Sequence, residues 1–393
     1  MAERLKIGLL THSVNPRGGV VHALELAHAL HDAGHEVTLM APAEPGRSFF
    51  RPVRCRTALA PLAAAPAGSP HDMVAMVRTR IDAYLHHLAP LLARERFDVL
   101  HTHDGIGGNV LATLQDRGLI DGFVRTVHHL DDFAEPQLAQ WQLRSVLRAR
   151  QVLCVSALWR DRLARELGIA ADEVPNGVDT ARYSPTPAPG DAALAQRLGL
   201  RTDGPVVLAV GGVEARKNTL RLLQAFALLH AERPTAQLVI AGGASLLDHD
   251  AYAQAFEAER LRLGLAEGPG QPLRRTGPLA DADMPGLYRL AHAVAMPSLH
   301  EGFGLVVLEA LCSGRPVAVS CIAPFTGYLA DEDVAWADPE DPASIAAALD
   351  QALAAPDVRH IAQSAARLAA QFSWARSAER HARLYRAALL QAA

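Results

Sequence analysis

Short apolar runs alternate with helical periodicity along most of the chain. Leu5–Leu10 is such a run. The polar loop Thr11–Gly19 follows it, and from about Val20 to Ala33 the apolar positions recur at helical spacing. Gly34 stands where a helix end favours glycine, and Glu36–Met40 reads as the next strand. Further strands are predicted at Asp98–His101, Phe123–Val127 and Gln151–Val155, with helices between them. Ala41–Pro70, rich in proline and alanine and without clean period, predicts a long irregular excursion. Tyr183–Pro205 predicts an interdomain linker with one helical piece. The alternation then restarts with strand Val206–Val210, helix Leu220–Arg233 and strand Gln237–Ala241, followed by strands at Ala293–Met296 and Pro316–Ser320. Ser373–Leu390 reads as one amphipathic helix. Strands separated by helices predict α/β architecture with mostly parallel sheets covered on both faces. Two such βαβ assemblies in series predict a ligand cleft between them.

Composition narrows the class. A chain of 393 residues is too long for one hydrophobic core. With 50% hydrophobic and 20% charged residues it is not a wholly disordered chain. A net charge of -4 argues against a nucleic-acid partner. No apolar run approaches the roughly 18 to 20 residues of a membrane span, and Ile7–Leu10 is too short for a signal peptide core. Cys55, Cys154, Cys312 and Cys321 are scattered without a CxxC pair, so neither a zinc site nor a disulfide framework is indicated. The expectation is a cytoplasmic protein. Arg144, Arg148 and Arg150 read either as a solvated helix face or as a peripheral contact with a membrane surface. Only Lys6 and Lys217 are lysines, which draws attention to where Lys217 stands.

The densest chemical signal is Ser298-Leu-His-Glu301-Gly-Phe303-Gly304-Leu305, running on to Glu309. Gly302 and Gly304 permit a tight turn straight into a helix, whose first amides, near Phe303, Gly304 and Leu305, can hold a phosphate. Glu309, one turn inside, can accept hydrogen bonds from a ribose diol, and Glu301 can reach hydroxyls beyond the phosphate. The plain alternative is a strand-loop-helix with two surface carboxylates. Gly18 and Gly19 either let backbone amides approach a ligand or form a simple turn. His128 and His129 follow a strand end, where a neutral imidazole can bond a sugar hydroxyl. Asp131 and Asp132 read equally as partners of that site or as caps. His101, His103 and Asp104 have the spacing of a metal trio, but an HxH at a strand end is common and no metal is assigned. The pairs Asp248/Asp250, Asp281/Asp283 and Asp331/Asp333 fall in turn-like or helix-starting stretches where capping and solvation suffice. No G-x-G-x-x-G follows either leading strand, which argues against a nicotinamide-dependent oxidoreductase.

Glu301 through Glu309 matches the E-x7-E motif of retaining glycosyltransferases of family 4 (glycosyl transferases group 1), and the chain resembles that family over nearly its whole length. The other matching segments are Pro16-Arg-Gly18-Gly19-Val with Gly34-His35-Glu36-Val37, Pro175-Asn176-Gly177-Val178-Asp179, Gly211 to Asn218, and Phe372-Ser-Trp374 with Tyr385. The resemblance implies a GT-B fold, two Rossmann-like domains facing across a cleft: residues 1–185 on the acceptor side, 186–372 on the donor side, and a helix over 373–393 returning to the first domain. It implies Glu301, His128 and Lys217 as catalytic residues. Glu301 would touch the donor sugar, His128 would stand against the reacting sugar, and Lys217 would hold the diphosphate. The implied donor site comprises Gly18, Gly19, Arg216, Lys217, Arg275 near the nucleobase, Glu301, Phe303, Gly304, Leu305 and Glu309 on the ribose. One departure stands out: many relatives carry an arginine where this chain has Gly212, and Arg216 is the available substitute. The implied reaction is metal-independent, front-face transfer from a nucleotide-diphosphate sugar to an unidentified hydroxyl acceptor, whether small molecule, glycan or lipid-linked. It needs no cofactor beyond the donor substrate. The competing reading is a non-catalytic nucleotide-sugar-binding protein of the same fold, which would bind without turnover.

Overall fold

In the computed structural model, which describes residues 4–63, 72–243, 250–354 and 357–391, the chain forms two compact units. The first comprises Met1–Gly177 with Ser373–Ala393, the second Val178–Phe372. Along the first run β1 (Lys6–Leu10), α1 (Gly18–Asp32), β2 (Glu36–Ala43), β3 (Arg56–Pro61), α2 (Met73–Leu92) and β4 (Val99–Thr102). They are followed by α3 (Gly105–Asp116), β5 (Val124–Val127), α4 (Pro136–Leu147), β6 (Gln151–Cys154), α5 (Ala157–Leu167) and β7 (Asp172–Glu173). The sheet is parallel throughout, in the order β3-β2-β1-β4-β5-β6-β7, with Ile7 opposite both Val37 and Val99. The order reverses between β1 and β4, so the loops leaving their carboxyl ends diverge and open a crevice. Helix α1 ends in a Schellman motif: Gly34 takes φ +92°, its amide bonds the His31 carbonyl, and the His35 amide bonds that of Leu30.

The second unit repeats the plan. It holds α6 (Asp191–Leu198), β8 (Val206–Val210), α7 (Thr219–Glu232), β9 (Gln237–Ala241), α8 (Asp250–Arg262), β10 (Leu273–Gly277) and α9 (Met284–Leu290). Then come β11 (Ala293–Met296), α10 (Leu305–Cys312), β12 (Val317–Ser320), β13 (Ala335–Ala337), α11 (Pro342–Leu353) and α12 (Val358–Gln371). Its parallel order is β10-β9-β8-β11-β12-β13, reversing between β8 and β11. The two ends of the unit are joined, the Val178 amide donating to the Phe372 carbonyl at 2.9 Å. Last in the chain, α13 (Trp374–Leu390) belongs to the first unit and packs on α1. Its buried side is Trp374, Ser377, Ala378, His381, Ala382 and Tyr385, one stripe at helical spacing.

The strands that the sequence did not predict share a physical cause. The four unanticipated strands β3, β7, β10 and β13 are the four sheet edges. Inner strands such as β9 are buried along their whole length and read as apolar runs, whereas β3 is fully buried only at Ala60 and β10 carries Arg274 and Arg275. Part of the expected irregular excursion is therefore the end of β2 and β3, and residues 64–70 of it lie outside the described residues. The expected linker Tyr183–Pro205 is part of the second unit. Tyr183 is buried edge-on against Tyr288, and α6 is tied to α9 by an Asp191–Arg289 ion pair at 2.7 Å. The units accordingly divide at Gly177, and residues 178–185, assigned to the first domain from sequence, lie in the second unit.

Candidate functional site

At the switch point of the second unit, β8 and β11 lie side by side and their following loops meet. The loop after β8 is shaped by left-handed residues. A Cβ on Gly212 (φ +77°) would stand 2.5 Å from the Gly243 carbonyl oxygen, so this backbone has no room for the expected arginine. Asn218 adopts φ +58°, and its side-chain amide donates to the carbonyls of Pro297 at 3.0 Å and Pro339 at 2.6 Å. Those bonds offset the cost of the conformation and pin the loop. The Leu299 amide adds a bond to the Arg216 carbonyl at 2.9 Å. As a result Lys217 Nζ donates to Glu301 Oε1 at 2.7 Å, Arg216 Nη1 to the same oxygen at 3.0 Å, and Ser298 Oγ at 2.9 Å. The Glu301 side chain is buried, which pushes its pKa up. The Lys217 and Arg216 charges and the Lys217 and Ser298 hydrogen bonds outweigh that, and the pKa ends below the ordinary carboxylate value.

Beside this group, Gly304 at φ +92° is the N-cap of α10, and no side chain caps the helix. A Cβ there would meet the Phe325 ring at 2.3 Å. The α10 N-terminus, which starts at Leu305, thus keeps its positive end free of a side-chain cap, the property that suits it to a phosphate. Phe303 is buried and stacks on Tyr328, whose hydroxyl donates to the Phe303 carbonyl at 2.8 Å, so its ring is structural and only its main chain faces the turn. Glu309 accepts a hydrogen bond from the Tyr288 hydroxyl at 2.6 Å, which fixes the orientation of its carboxylate. Arg275 is not drawn into the Glu301 group. Its guanidinium is engaged by Glu267 at 2.6 Å and Glu257 at 3.2 Å and lies over the Phe256 ring.

In the first unit, Gly18 and Gly19 form the first turn of α1 instead of lying in the preceding loop, and that helix too lacks a side-chain cap. A Cβ on Gly19 would sit 3.5 Å from the His128 ring. His128 points inward, while its neighbour His129 is exposed and faces Asp131 at 3.4 Å. Neither Asp131 nor Asp132 caps the next helix; Glu135 does. Around His128 lies a set of buried histidines that the sequence reading did not assemble: His22, His101, His103 and His381. His22 Nδ1 meets Asn176 Oδ1 at 2.8 Å, and His101 is bracketed by the hydroxyls of Tyr385 at 2.6 Å and Thr126 at 2.8 Å. Burial, reinforced by the charge of neighbouring histidines, brings His22 down to about 3 and puts His101, His103 and His128 well below the usual imidazole range, so all are neutral at neutral pH. Asp104 does not join them: it caps α3 through Gly107 at 2.8 Å and faces His12 at 3.7 Å. Of the acidic pairs, Asp281 and Asp283 are taken by Arg182 and Arg197, both at 2.8 Å. Asp331 accepts from the Trp336 indole, Asp333 is paired with Arg367, and Asp248/Asp250 lies outside the described side chains.

Sequence comparison bears directly on this constellation. A family model for Glycosyltransferase Family 4 matches residues 16–182, and one for Glycosyl transferases group 1 matches residues 191–369. A D-inositol 3-phosphate glycosyltransferase of Salinispora arenicola is 32% identical over 310 residues, covering 72% of this chain and 67% of that protein. The chain belongs to glycosyltransferase family 4. A second relative, the phosphatidyl-myo-inositol mannosyltransferase of Mycolicibacterium smegmatis, is 30% identical over 357 residues, 88% of this chain and 84% of its own. Among solved structures, sucrose-phosphate synthase from Thermosynechococcus elongatus superposes with a TM-score of 0.78 at 22% identity, covering 99% of this chain and all of that one. HepE of Anabaena, in a complex with UDP-glucose, superposes with a TM-score of 0.74 at 17% identity over 98% of this chain and all of its own. The architecture is that of GT-B glycosyltransferases, two parallel-sheet Rossmann-like units, and the protein is a glycosyltransferase. Among the described residues no helix is long and apolar enough to cross a membrane.

Proposed function

We propose that this family 4 enzyme transfers a sugar, with retention at the anomeric carbon, from a nucleotide-diphosphate sugar to a hydroxyl acceptor. The observation that carries the reading is the convergence of Lys217, Arg216 and Ser298 on one oxygen of Glu301, next to a helix end without a side-chain cap. A bound diphosphate competes with Glu301 for both cations. As Lys217 and Arg216 turn to the phosphates, Oε1 loses donors and becomes an acceptor for sugar hydroxyls. The α10 amides hold the phosphate adjoining the sugar, and Glu309, oriented by Tyr288, takes the ribose diol. Leaving-group charge grows as the C1–O bond to the diphosphate breaks. The acceptor oxygen bonds C1 on that same face, and its proton passes to a departing phosphate oxygen. The side-chain cations and helix amides stabilise that charge without a divalent ion on the diphosphate. In the first unit, His128 meets the reacting sugar as a neutral imidazole, and Gly18 and Gly19 offer amides. The relatives named for inositol 3-phosphate and phosphatidyl-myo-inositol make inositol phosphates the first acceptors to try.

Calorimetric titration with UDP, GDP and ADP, each with and without magnesium, tests the donor site. One clearly tighter nucleotide, insensitive to magnesium, is expected. Binding that disappears without magnesium sinks the metal-independent reading, and binding of none sinks the donor site. With a turned-over substrate, the NMR coupling of the product anomeric proton decides retention, and an inverted product rejects it.

A further inference from the structure

Three histidines of the first unit reach one another from separate elements: His22 on the inner side of α1, His103 just after β4 and His128 just after β5. The His22 ring centroid lies 4.7 Å from that of His128 and 4.9 Å from that of His103, and the remaining pair is 5.6 Å apart. One ring nitrogen from each lies within 4.8 Å of the others. His22 is fully buried and His103 is 3% exposed. Asn176 Oδ1 can only accept, so it takes the Nδ1 proton of His22 and leaves the lone pair on Nε2. That Nε2, Nε2 of His128 and both nitrogens of His103 have no hydrogen-bond partner among the described residues. Buried polar atoms are rarely left so.

We propose that His22, His103 and His128 form a binding site for a divalent transition metal of the zinc and cobalt class. Neutral imidazoles without a carboxylate or thiolate suit these ions and disfavour magnesium and calcium, which take oxygen ligands. The Asn176 contact is the outer-sphere bond that metal-ligating histidines characteristically make through their second nitrogen. Neighbouring rings confine the trio: Trp374 stands edge-on to His22 at 5.2 Å, and His101, both of whose nitrogens are occupied, lies 4.3 Å from His103. Bonds of about 2.0–2.1 Å to tetrahedral zinc require nitrogens roughly 3.3–3.5 Å apart, so binding draws the three rings inward. Three protein ligands leave a fourth position. The site shares His128 with the reaction proposed above, and a bound ion withdraws its Nε2 from the sugar; it does not rest on that reaction, since cobalt binding is read without turnover.

The test is cobalt titration of the full-length, tag-free protein after chelator treatment. Intense visible bands of four-coordinate Co2+, saturating at one equivalent and bleached by Zn2+, are expected. The bands should vanish in His103→Ala and in His128→Gln, the second of which changes a half-buried side chain and spares the fold if the first does not. Asn176→Ala, a positioning change, should weaken binding about 10- to 100-fold with the bands still present at saturation. A folded wild type that develops no such bands, as when ordered water serves these nitrogens, overturns the proposal. So do bands that persist in every folded histidine variant.

Discussion

Glu301 Oε1 receives three donors within 3.0 Å, and two of them carry charge. Removing one cation should be felt by the ligand that competes for it. Lys217→Ala is expected to weaken nucleoside diphosphate binding by about 1.5–3 kcal/mol, roughly 10- to 150-fold, with nucleoside binding unchanged in the same calorimeter. The pH dependence of the pair follows from the lowered Glu301 pKa. A carboxyl whose folded pKa lies below its unfolded value stabilises the fold above the unfolded value and loses that contribution as pH falls through the folded one. The gap in unfolding free energy between wild type and Glu301→Gln should therefore hold from pH 7 down to about 4.5, the ordinary value, and close below it. Closure already between pH 7 and 5 contradicts the assignment. At Gly212, restoring the arginine of many relatives is not a gain for this chain. With φ +77° and a backbone oxygen 2.5 Å from the would-be Cβ, Gly212→Arg should destabilise by about 1–3 kcal/mol in urea melts and leave nucleotide affinity no tighter.

Elements explain which parts of the fold were legible. Inner strands announce themselves because both faces are covered and their residues are mostly apolar; edge strands such as β10 satisfy one neighbour and leave more of their length exposed to polar residues. Fold class and the Glu301–Glu309 turn were therefore readable, while the sheet borders and the place of Tyr183–Pro205 were not. Within the site, Lys217, Arg216 and Glu301 were legible as motif residues. Two residues that position the site were not: Asn218, which pins the Lys217 loop, and Tyr288, which orients Glu309, because both act through contacts distant in sequence. His22 was hidden for another reason: on the apolar side of α1 it reads as one more core position, and only the fold shows its nitrogen turned to Asn176. The start of α1 yields its own prediction. Gly19→Ala places a methyl at ordinary contact distance from His128, in a helical position where alanine is favoured by up to about 1 kcal/mol. Thermal stability should hold or rise while kcat/KM falls, because the methyl covers the imidazole. A variant with unchanged kcat/KM argues against a ligand on that side of His128.

At the scale of the whole molecule, the first unit is built from two separated stretches of chain. Tyr385, fully buried, reaches His101 from α13, and Gly177 admits the Trp374 backbone so closely that a Cβ would lie 2.3 Å from its nitrogen. A chain ending at Phe372 should therefore lose hydrogen-exchange protection across residues 4–177 and keep it in β8, β9, β11 and β12. Equal loss in both units rejects this division of stability. The same arrangement sets an order of completion during synthesis. Val178 and Phe372 already close the second unit upon itself, whereas the unit that the ribosome begins first must wait for the last helix to emerge. Roughly 200 residues intervene, about 10–40 s of translation at 5–20 residues per second. For that interval the newborn chain carries an open apolar seam along α1, where a chaperone has its opportunity to bind, and the later-made half is the first to be finished.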